Sequence, residues 1–230
     1  MPKPLILLHG ALSTKNQFDG LLPLLQTETK MALDFPGHGF FALEREDDFT
    51  LEGFARSVIS AMDQQGIQQA DVLGYSMGGY TAIYLCINYP KRFNKIITLA
   101  TKYHWSPEVA TSETGKLKPQ VLLEKAPAFV EQLKELHPAT PWQTLLERTA
   151  SFMHQLGRND YLSVQHLSTV PHQVLVSLGD RDKMVTLDET VKAFKAFPHG
   201  QLAVLPDTPH PLERMNQQRL AQLINPFLAD

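Results

Sequence analysis

The sequence predicts an α/β fold with a mostly parallel sheet of about six strands flanked by helices. Short, mainly apolar runs such as residues 4–8 and 173–178 are typical of strands buried on both faces of a parallel sheet. They alternate with segments whose apolar residues recur at helical spacing. That alternation indicates β-α-β units with right-handed crossovers.

The N-terminal half is expected to contain four strands. The first ends in His9-Gly10, a helix is expected near residues 16–25, and the second strand runs into the Pro- and Gly-rich loop 34–39. Thr50 is a candidate N-cap for the next helix, with Gly66 as its C-terminal stop. In order, the strands of the whole chain are expected at 4–8, 31–33, 71–73, 95–99, 173–178 and 201–205.

The stretch 101–167 differs from the rest in being aromatic-rich, interrupted by five prolines and without a convincing strand. We interpret it as an inserted helical cap. The α/β core is then formed by residues 1–100 and 168–230, with one helix near 188–197 and a last amphipathic helix after His210.

Composition excludes several classes of protein. The chain has 230 residues, 43% of them hydrophobic and 20% charged, which suits one domain with a sizeable core. A formal net charge of -3 argues against a nucleic-acid partner. The apolar runs are too short to span a membrane, and no signal peptide is recognised. Cys86 is the only cysteine, so the chain cannot form an internal disulfide, and we predict a cytoplasmic protein. We expect Cys86 itself to be a core residue.

Gly74-Tyr75-Ser76-Met77-Gly78 has the form of a nucleophile elbow, a sharp strand-to-helix turn that exposes a serine. Side chains at 74 and 78 would collide with neighbouring backbone. The turn would also aim the amide N–H of Met77 at the place where an oxyanion forms. Ser76 is therefore a candidate nucleophile.

A serine nucleophile needs a base, and the base needs an orienting carboxylate. His210 follows the last expected strand, and Asp180 and Asp182 follow the strand before it. Because the carboxyl ends of parallel strands form one edge of the sheet, these side chains should gather near Ser76. The residues alone leave both aspartates open as the acid.

These motifs together resemble the α/β-hydrolase superfamily, through Leu8-His9-Gly10, Asp34 to Gly39, the elbow, Gly179 to Val185, and His210. Within it, the chain is similar to the small capped esterases and lyases, such as the biotin-pathway carboxylesterases and menaquinone-pathway synthases. The resemblance implies Ser76 as nucleophile, Asp182 as acid, His210 as base, and the amides of Ala11 and Met77 as oxyanion hole.

Two features depart from the family pattern. The usual N-terminal hairpin has no residues to build it, so six strands should remain. Pro209 and Pro211 flank His210 where glycine often precedes the histidine, which should stiffen the loop.

The substrate pocket is expected to include Leu12, Tyr103, His104 and Trp105. Each cap aromatic, taken singly, is expected to pack within the cap, and Lys102, Arg148 and Arg158 to be solvated. His9 is equally open to a structural role or a substrate contact, whereas His38 favours the structural one. No metal-ligand spacing and no nucleotide-binding motif is found, so we predict neither metal nor cofactor.

The leading functional hypothesis is a serine hydrolase that cleaves small carboxylic esters through an acyl-enzyme. A lyase, synthase or C–C bond hydrolase with the same triad is the first alternative, and an arginine in the pocket would favour it. A ligand-binding receptor on the same scaffold is the second. The oligomeric state stays open.

Overall fold

Six parallel strands form the centre of the structure, a computed structural model that describes residues 3–229. Their spatial order is β2-β1-β3-β4-β5-β6, and every neighbouring pair is parallel. The fold class predicted from the sequence is confirmed, and no strand precedes β1 within the described range. The strands are β1 (Leu5–Leu8), β2 (Lys30–Leu33), β3 (Ala70–Tyr75), β4 (Phe93–Leu99), β5 (Gln173–Gly179) and β6 (Gly200–Leu205).

The central strands are buried on both faces, as β1 illustrates. Its four residues are fully buried, and they alternate between two apolar clusters on opposite faces of the sheet. Leu5 and Leu7 join the cluster that includes the C-terminal helix, whereas Ile6 and Leu8 join the larger cluster on the other face. This period of two explains why a continuous apolar run forms a strand here rather than a helix.

Nine α-helices lie within residues 3–229. Thr50 caps the first as expected, since its side chain accepts a hydrogen bond from the amide of Gly53 at 3.0 Å. Gly66, just beyond its end, adopts a φ of 67°. The helices are α1 (Leu51–Gln64), α2 (Met77–Asn88), α3 (Pro107–Thr114), α4 (Pro119–Lys125), α5 (Pro127–Leu136), α6 (Trp142–Arg158), α7 (Val164–Leu167), α8 (Leu187–Ala196) and α9 (Gln217–Ala229).

Helices α3 to α7 follow one another without a strand, and we call residues 101–167 the helical segment. Prolines open α3, α4 and α5 at their first positions, where the missing N–H has no intrahelical partner to lose. Three of the five prolines that interrupt the sequence pattern therefore start helices. None of the helices in the described part of the chain is both long and apolar enough to cross a membrane.

The helix expected near residues 16–25 does not form. Two short 3-10 turns, Lys15–Phe18 and Leu22–Leu24, occupy this stretch. Gly20 lies between them, and Pro23 lacks the amide N–H that a continuing helix would need. Phe18, Leu21 and Leu25 are nevertheless buried, so the stretch still packs against the core without a helix.

Candidate active site

Ser76 lies at a sharp turn between the end of β3 and the start of α2. Its φ of 52° and ψ of -113° are strained for a residue with a side chain. A Cβ on Gly74 would lie 2.3 Å from the carbonyl oxygen of Gly78, and a Cβ on Gly78 would lie 2.0 Å from that of Leu8. Both glycines are therefore required by close backbone approach, and the turn presents the Ser76 side chain at the carboxyl edge of the sheet.

His210 and Asp182 form a close pair beside this turn. His210 Nδ1 donates to Asp182 Oδ2 at 2.7 Å, and the Asp182 side chain is fully buried. Because Nδ1 carries the proton, Nε2 is left as an acceptor. Asp182 Oδ1 accepts from the amides of Met184 and Val185 at 2.8 and 2.9 Å. Burial alone would raise the pKa of Asp182, but these three donors outweigh burial and hold it below its ordinary value.

Asp180 has a different role. Its Oδ1 accepts from the amide of Thr208 at 3.1 Å, which fastens the loop that leads to His210. Its side chain is 37% exposed and lies near Arg181. Of the two aspartates left open by the residues, the structure pairs Asp182 with the imidazole.

Two backbone amides next to Ser76 lack an acceptor among residues 3–229. They belong to Met77, the first residue of α2, and Ala11, in the loop after β1. The N-terminus of α2 also contributes the positive end of a helix dipole. Both residues border the same cavity as Ser76, so these N–H groups are available to an oxygen that becomes negatively charged.

The cavity has a volume of ≈ 410 Å³ and lies between the sheet edge and the helical segment. Ser76, Met77 and His210 line one side of it. The opposite side is mainly apolar and comes from the helical segment: Trp105, Leu117, Phe129, Leu136, Phe152, Met153 and Leu156. No hydrogen bond joins Ser76 Oγ to His210 within the described residues, as is common before substrate binds.

Each charged side chain that lines the cavity already has a partner. Lys102 Nζ donates to the carbonyl of Met184 at 3.0 Å and lies 3.7 Å from Glu189. Glu113 pairs with Lys116 at 2.8 Å. Glu213 accepts from Gln17 at 2.8 Å. No arginine is among the lining residues, and Arg148 and Arg158 line a separate, smaller depression.

Two of the four residues expected in the pocket line it and two do not. Leu12 and Trp105 border the cavity. Tyr103 is instead buried in the core, with its hydroxyl 2.7 Å from that of Thr98, and the His104 side chain is exposed. The expectation placed all of residues 103–105 at the site because they follow β4, but successive side chains in an extended stretch point in different directions.

Some lining residues were missed by sequence reasoning. Phe129 and Phe152 were expected to pack within the helical segment, yet both also face the cavity. Trp142, by contrast, is part of the core as expected. The missed pair carries no local signal, because which face of a helix meets the cavity depends on how the helices dock.

Tyr75 is a further residue that sequence reasoning did not assign. Its hydroxyl donates to the backbone carbonyl of His210 at 2.8 Å, and the two rings lie 5.5 Å apart between centroids. The contact ties the His210 loop to the strand that carries Ser76. Its position inside the elbow, between Gly74 and Ser76, was the available signal.

His9 and His38 are both fully buried. His9 Nδ1 donates to the carbonyl of Gly10 at 2.7 Å, and its Nε2 accepts from the amide of Phe35 at 3.1 Å. Burial lowers the pKa of His9 to about 4 and that of His38 well below its ordinary value. Cys86 is also buried, which raises the pKa of its thiol. His9 joins the loops after β1 and β2, and neither histidine lines the cavity.

The site combines a serine on a strained strand-to-helix turn with a histidine–aspartate pair at the same edge of a parallel sheet. This arrangement is typical of α/β hydrolases. A family model described as alpha/beta hydrolase fold matches residues 3–169, and the chain belongs to that family. The family resemblance predicted from the motifs is thereby confirmed.

Curated relatives support a hydrolase, and a solved structure shows the same fold. A 2-hydroxymuconate semialdehyde hydrolase from Pseudomonas putida is 23% identical over 89% of this chain and 78% of its own. A pimeloyl-[acyl-carrier protein] methyl ester esterase from Neisseria meningitidis is 33% identical, over 43% of this chain and 37% of its own. A thermophilic esterase from Thermogutta terrifontis superimposes with a TM-score of 0.79 at 19% identity, covering 99% of this chain and 89% of that one.

Proposed function

We propose that the protein is a serine esterase that hydrolyses small carboxylic esters with uncharged, apolar acyl groups. The observation that carries the proposal is the 2.7 Å pair of His210 and Asp182, with Nε2 free to accept, beside the cavity that Ser76 also lines. The helical segment would act as a cap over this cavity, so that the core (residues 1–100 and 168–230) carries the chemistry and residues 101–167 shape the acyl site.

The mechanism follows from the roles of these groups. His210 Nε2 takes the proton from Ser76 Oγ as Oγ attacks the acyl carbon, and Asp182 stabilises the resulting imidazolium. The amides of Ala11 and Met77 bind the oxyanion. The imidazolium then gives its proton to the leaving alkoxide, which departs as the alcohol. Water, deprotonated by the same nitrogen, cleaves the acyl-enzyme and releases the acid and free Ser76.

The lining of the cavity supports an uncharged acyl group. Its lysine and both glutamates are already paired, so a substrate carboxylate would find no free cation there. A charge taken from water into an apolar site without a partner costs several kcal/mol. Neutral acyl chains can instead contact the apolar side chains of the helical segment.

Hydrolysis of C–C bonds is the second candidate, and the similarity to a 2-hydroxymuconate semialdehyde hydrolase favours it. A substrate of that kind carries a carboxylate, for which an arginine in the cavity would be the natural partner. The lining contains none, which favours the ester.

A panel of three probe types tests the proposal. Nitrophenyl esters with neutral acyl chains should be hydrolysed with a kcat/KM at least about tenfold higher than nitrophenyl esters whose acyl chain ends in a carboxylate, because the latter bury an unpaired charge. Turnover of 2-hydroxymuconate semialdehyde in preference to all of the esters would support the C–C hydrolase instead. Binding of an ester without turnover would favour a receptor.

A further inference from the structure

The loop that carries Ala11 is held from two sides by buried imidazoles. Leu12, which follows Ala11 and lines the cavity, has a φ of 61°. This left-handed conformation is strained for leucine. Such a conformation persists only where its surroundings hold it. The contacts that hold this loop therefore decide where the Ala11 amide points.

The first contact is made by His9. Its Nδ1–H donates to the carbonyl oxygen of Gly10, which also accepts from the amide of Ser13 at 3.3 Å. The Gly10 carbonyl and the Ala11 N–H belong to one planar trans peptide, and the described residues contain no cis peptide bond. Fixing the carbonyl on one side of the loop consequently fixes the N–H on the other.

The second contact comes from the helical segment. His137, just after α5, is 1% exposed. Its Nδ1 accepts from the amide of Gly39 at 2.9 Å, and its Nε2 lies 3.1 Å from the carbonyl of Leu12. A carbonyl only accepts and an amide only donates, so both contacts require the neutral tautomer with the proton on Nε2. One ring thus bridges the loops after β1 and β2.

We propose that His137 is a positioning residue. Its Nε2–H binds the Leu12 carbonyl, so that packing of the helical segment against the core sets the direction of the Ala11 amide. The inference rests on the proposed function, since it gives that amide a role in binding the oxyanion. His9 fixes the peptide before Ala11, and His137 fixes the peptide after Leu12. The oxyanion site is then complete only when the helical segment is packed against the core.

Three substitutions separate this role from simple packing. His137→Gln can place an amide N–H near the position of Nε2 and keep the Leu12 contact. His137→Asn places its side-chain oxygen near the position of Nδ1 and keeps the Gly39 contact instead. His137→Phe keeps the ring and loses both polar contacts.

The measurement is kcat and KM for one neutral nitrophenyl ester, together with the melting temperature of each variant. Loss of one oxyanion donor lowers kcat by about 10²–10³. Misplacement of a catalytic group by about 1 Å lowers the rate by about 10². We expect kcat to fall by about 10- to 100-fold in the Asn and Phe variants, with KM within about threefold, and to stay within about threefold in the Gln variant. If the Phe variant fails to fold, the Gln and Asn variants still decide.

Equal kcat in the Gln and Asn variants, whether high or low, would overturn the proposal. A loss of kcat in the Gln variant alone would overturn it too. Hydrogen exchange at residues 10–14 provides a readout that does not depend on turnover. We expect faster exchange in the Asn variant than in the Gln variant, and equal rates would contradict the Leu12 contact. If the wild-type protein hydrolyses no ester but the Asn and Gln variants show this difference in exchange rate, the proposed function fails while the contact stands.

Discussion

Exchange of the Asp182 carboxylate for an amide should nearly abolish turnover, because of where its two oxygens lie. Oδ1 accepts from two backbone amides and Oδ2 accepts from His210. In Asp182→Asn the side-chain oxygen should stay with the two backbone donors, which turns the NH2 group toward His210 Nδ1. The imidazole must then accept at Nδ1 and carry its proton on Nε2, where it cannot take the proton of Ser76.

The magnitude follows from this change of tautomer. The equivalent substitution in a serine protease lowers kcat by about 10⁴. At 1.36 kcal/mol for each factor of ten, that corresponds to about 5 kcal/mol of lost transition-state stabilisation. We expect a loss of this order here, measured as kcat for a neutral nitrophenyl ester at pH near neutrality.

Asp180→Asn is the matched control, two positions away. The amide oxygen can still accept from Thr208, and the side chain is partly exposed, so kcat should stay within about tenfold of wild type. Both variants should keep the wild-type fold by circular dichroism. A larger loss in the Asp180 variant, or turnover by the Asp182 variant within about tenfold of wild type, would refute the reasoning.

Three further predictions concern residues around the site. Tyr75→Phe removes the donor to the His210 carbonyl but keeps the ring, so kcat should fall about three- to tenfold at constant KM in steady-state assays. The pKa of His9 is lowered to about 4, so His9 should take up a proton on unfolding once the pH falls below about 6.5. This uptake should lower the free energy of unfolding by roughly 2–3 kcal/mol between neutral pH and pH near 4.5, as measured by urea denaturation. Thr50→Ala should cost about 1 kcal/mol of the same free energy through loss of the α1 cap.

Each of these has a result that would contradict it. Unchanged kcat in Tyr75→Phe would show that the His210 loop needs no such support. A His9→Gln variant with the same pH dependence as wild type would show that His9 does not carry the acid loss. For Thr50, a Thr50→Ser variant as unstable as Thr50→Ala would point to lost packing of the methyl group rather than to the hydroxyl.

The sheet and the elbow could be predicted from the sequence because their causes are local. A buried parallel strand needs a continuous apolar run, and the close approach of backbone at residues 74 and 78 admits only glycine. The order of strands brings residues after β3, β5 and β6 to one edge. The residues therefore placed Ser76 and His210 at one edge of the sheet with Asp180 and Asp182 both open as the acid, and only the family resemblance favoured Asp182.

Features that depend on docking between distant segments could not be predicted. The orientation of α5 and α6 decides that Phe129 and Phe152 face the cavity, and nothing in their own spacing reveals it. Nothing in the sequence around His137 predicts its contacts. Its partners, Leu12 and Gly39, are about a hundred residues away in the chain.

The central claim is that Ser76 is the nucleophile, and covalent labelling tests it most directly. A fluorophosphonate should attach to Ser76, as located by mass spectrometry of the digested protein, and Ser76→Ala should fold normally, take no label and lose about three or more decades of ester turnover. Labelling at another residue, or turnover by Ser76→Ala within about tenfold of wild type, would contradict the claim.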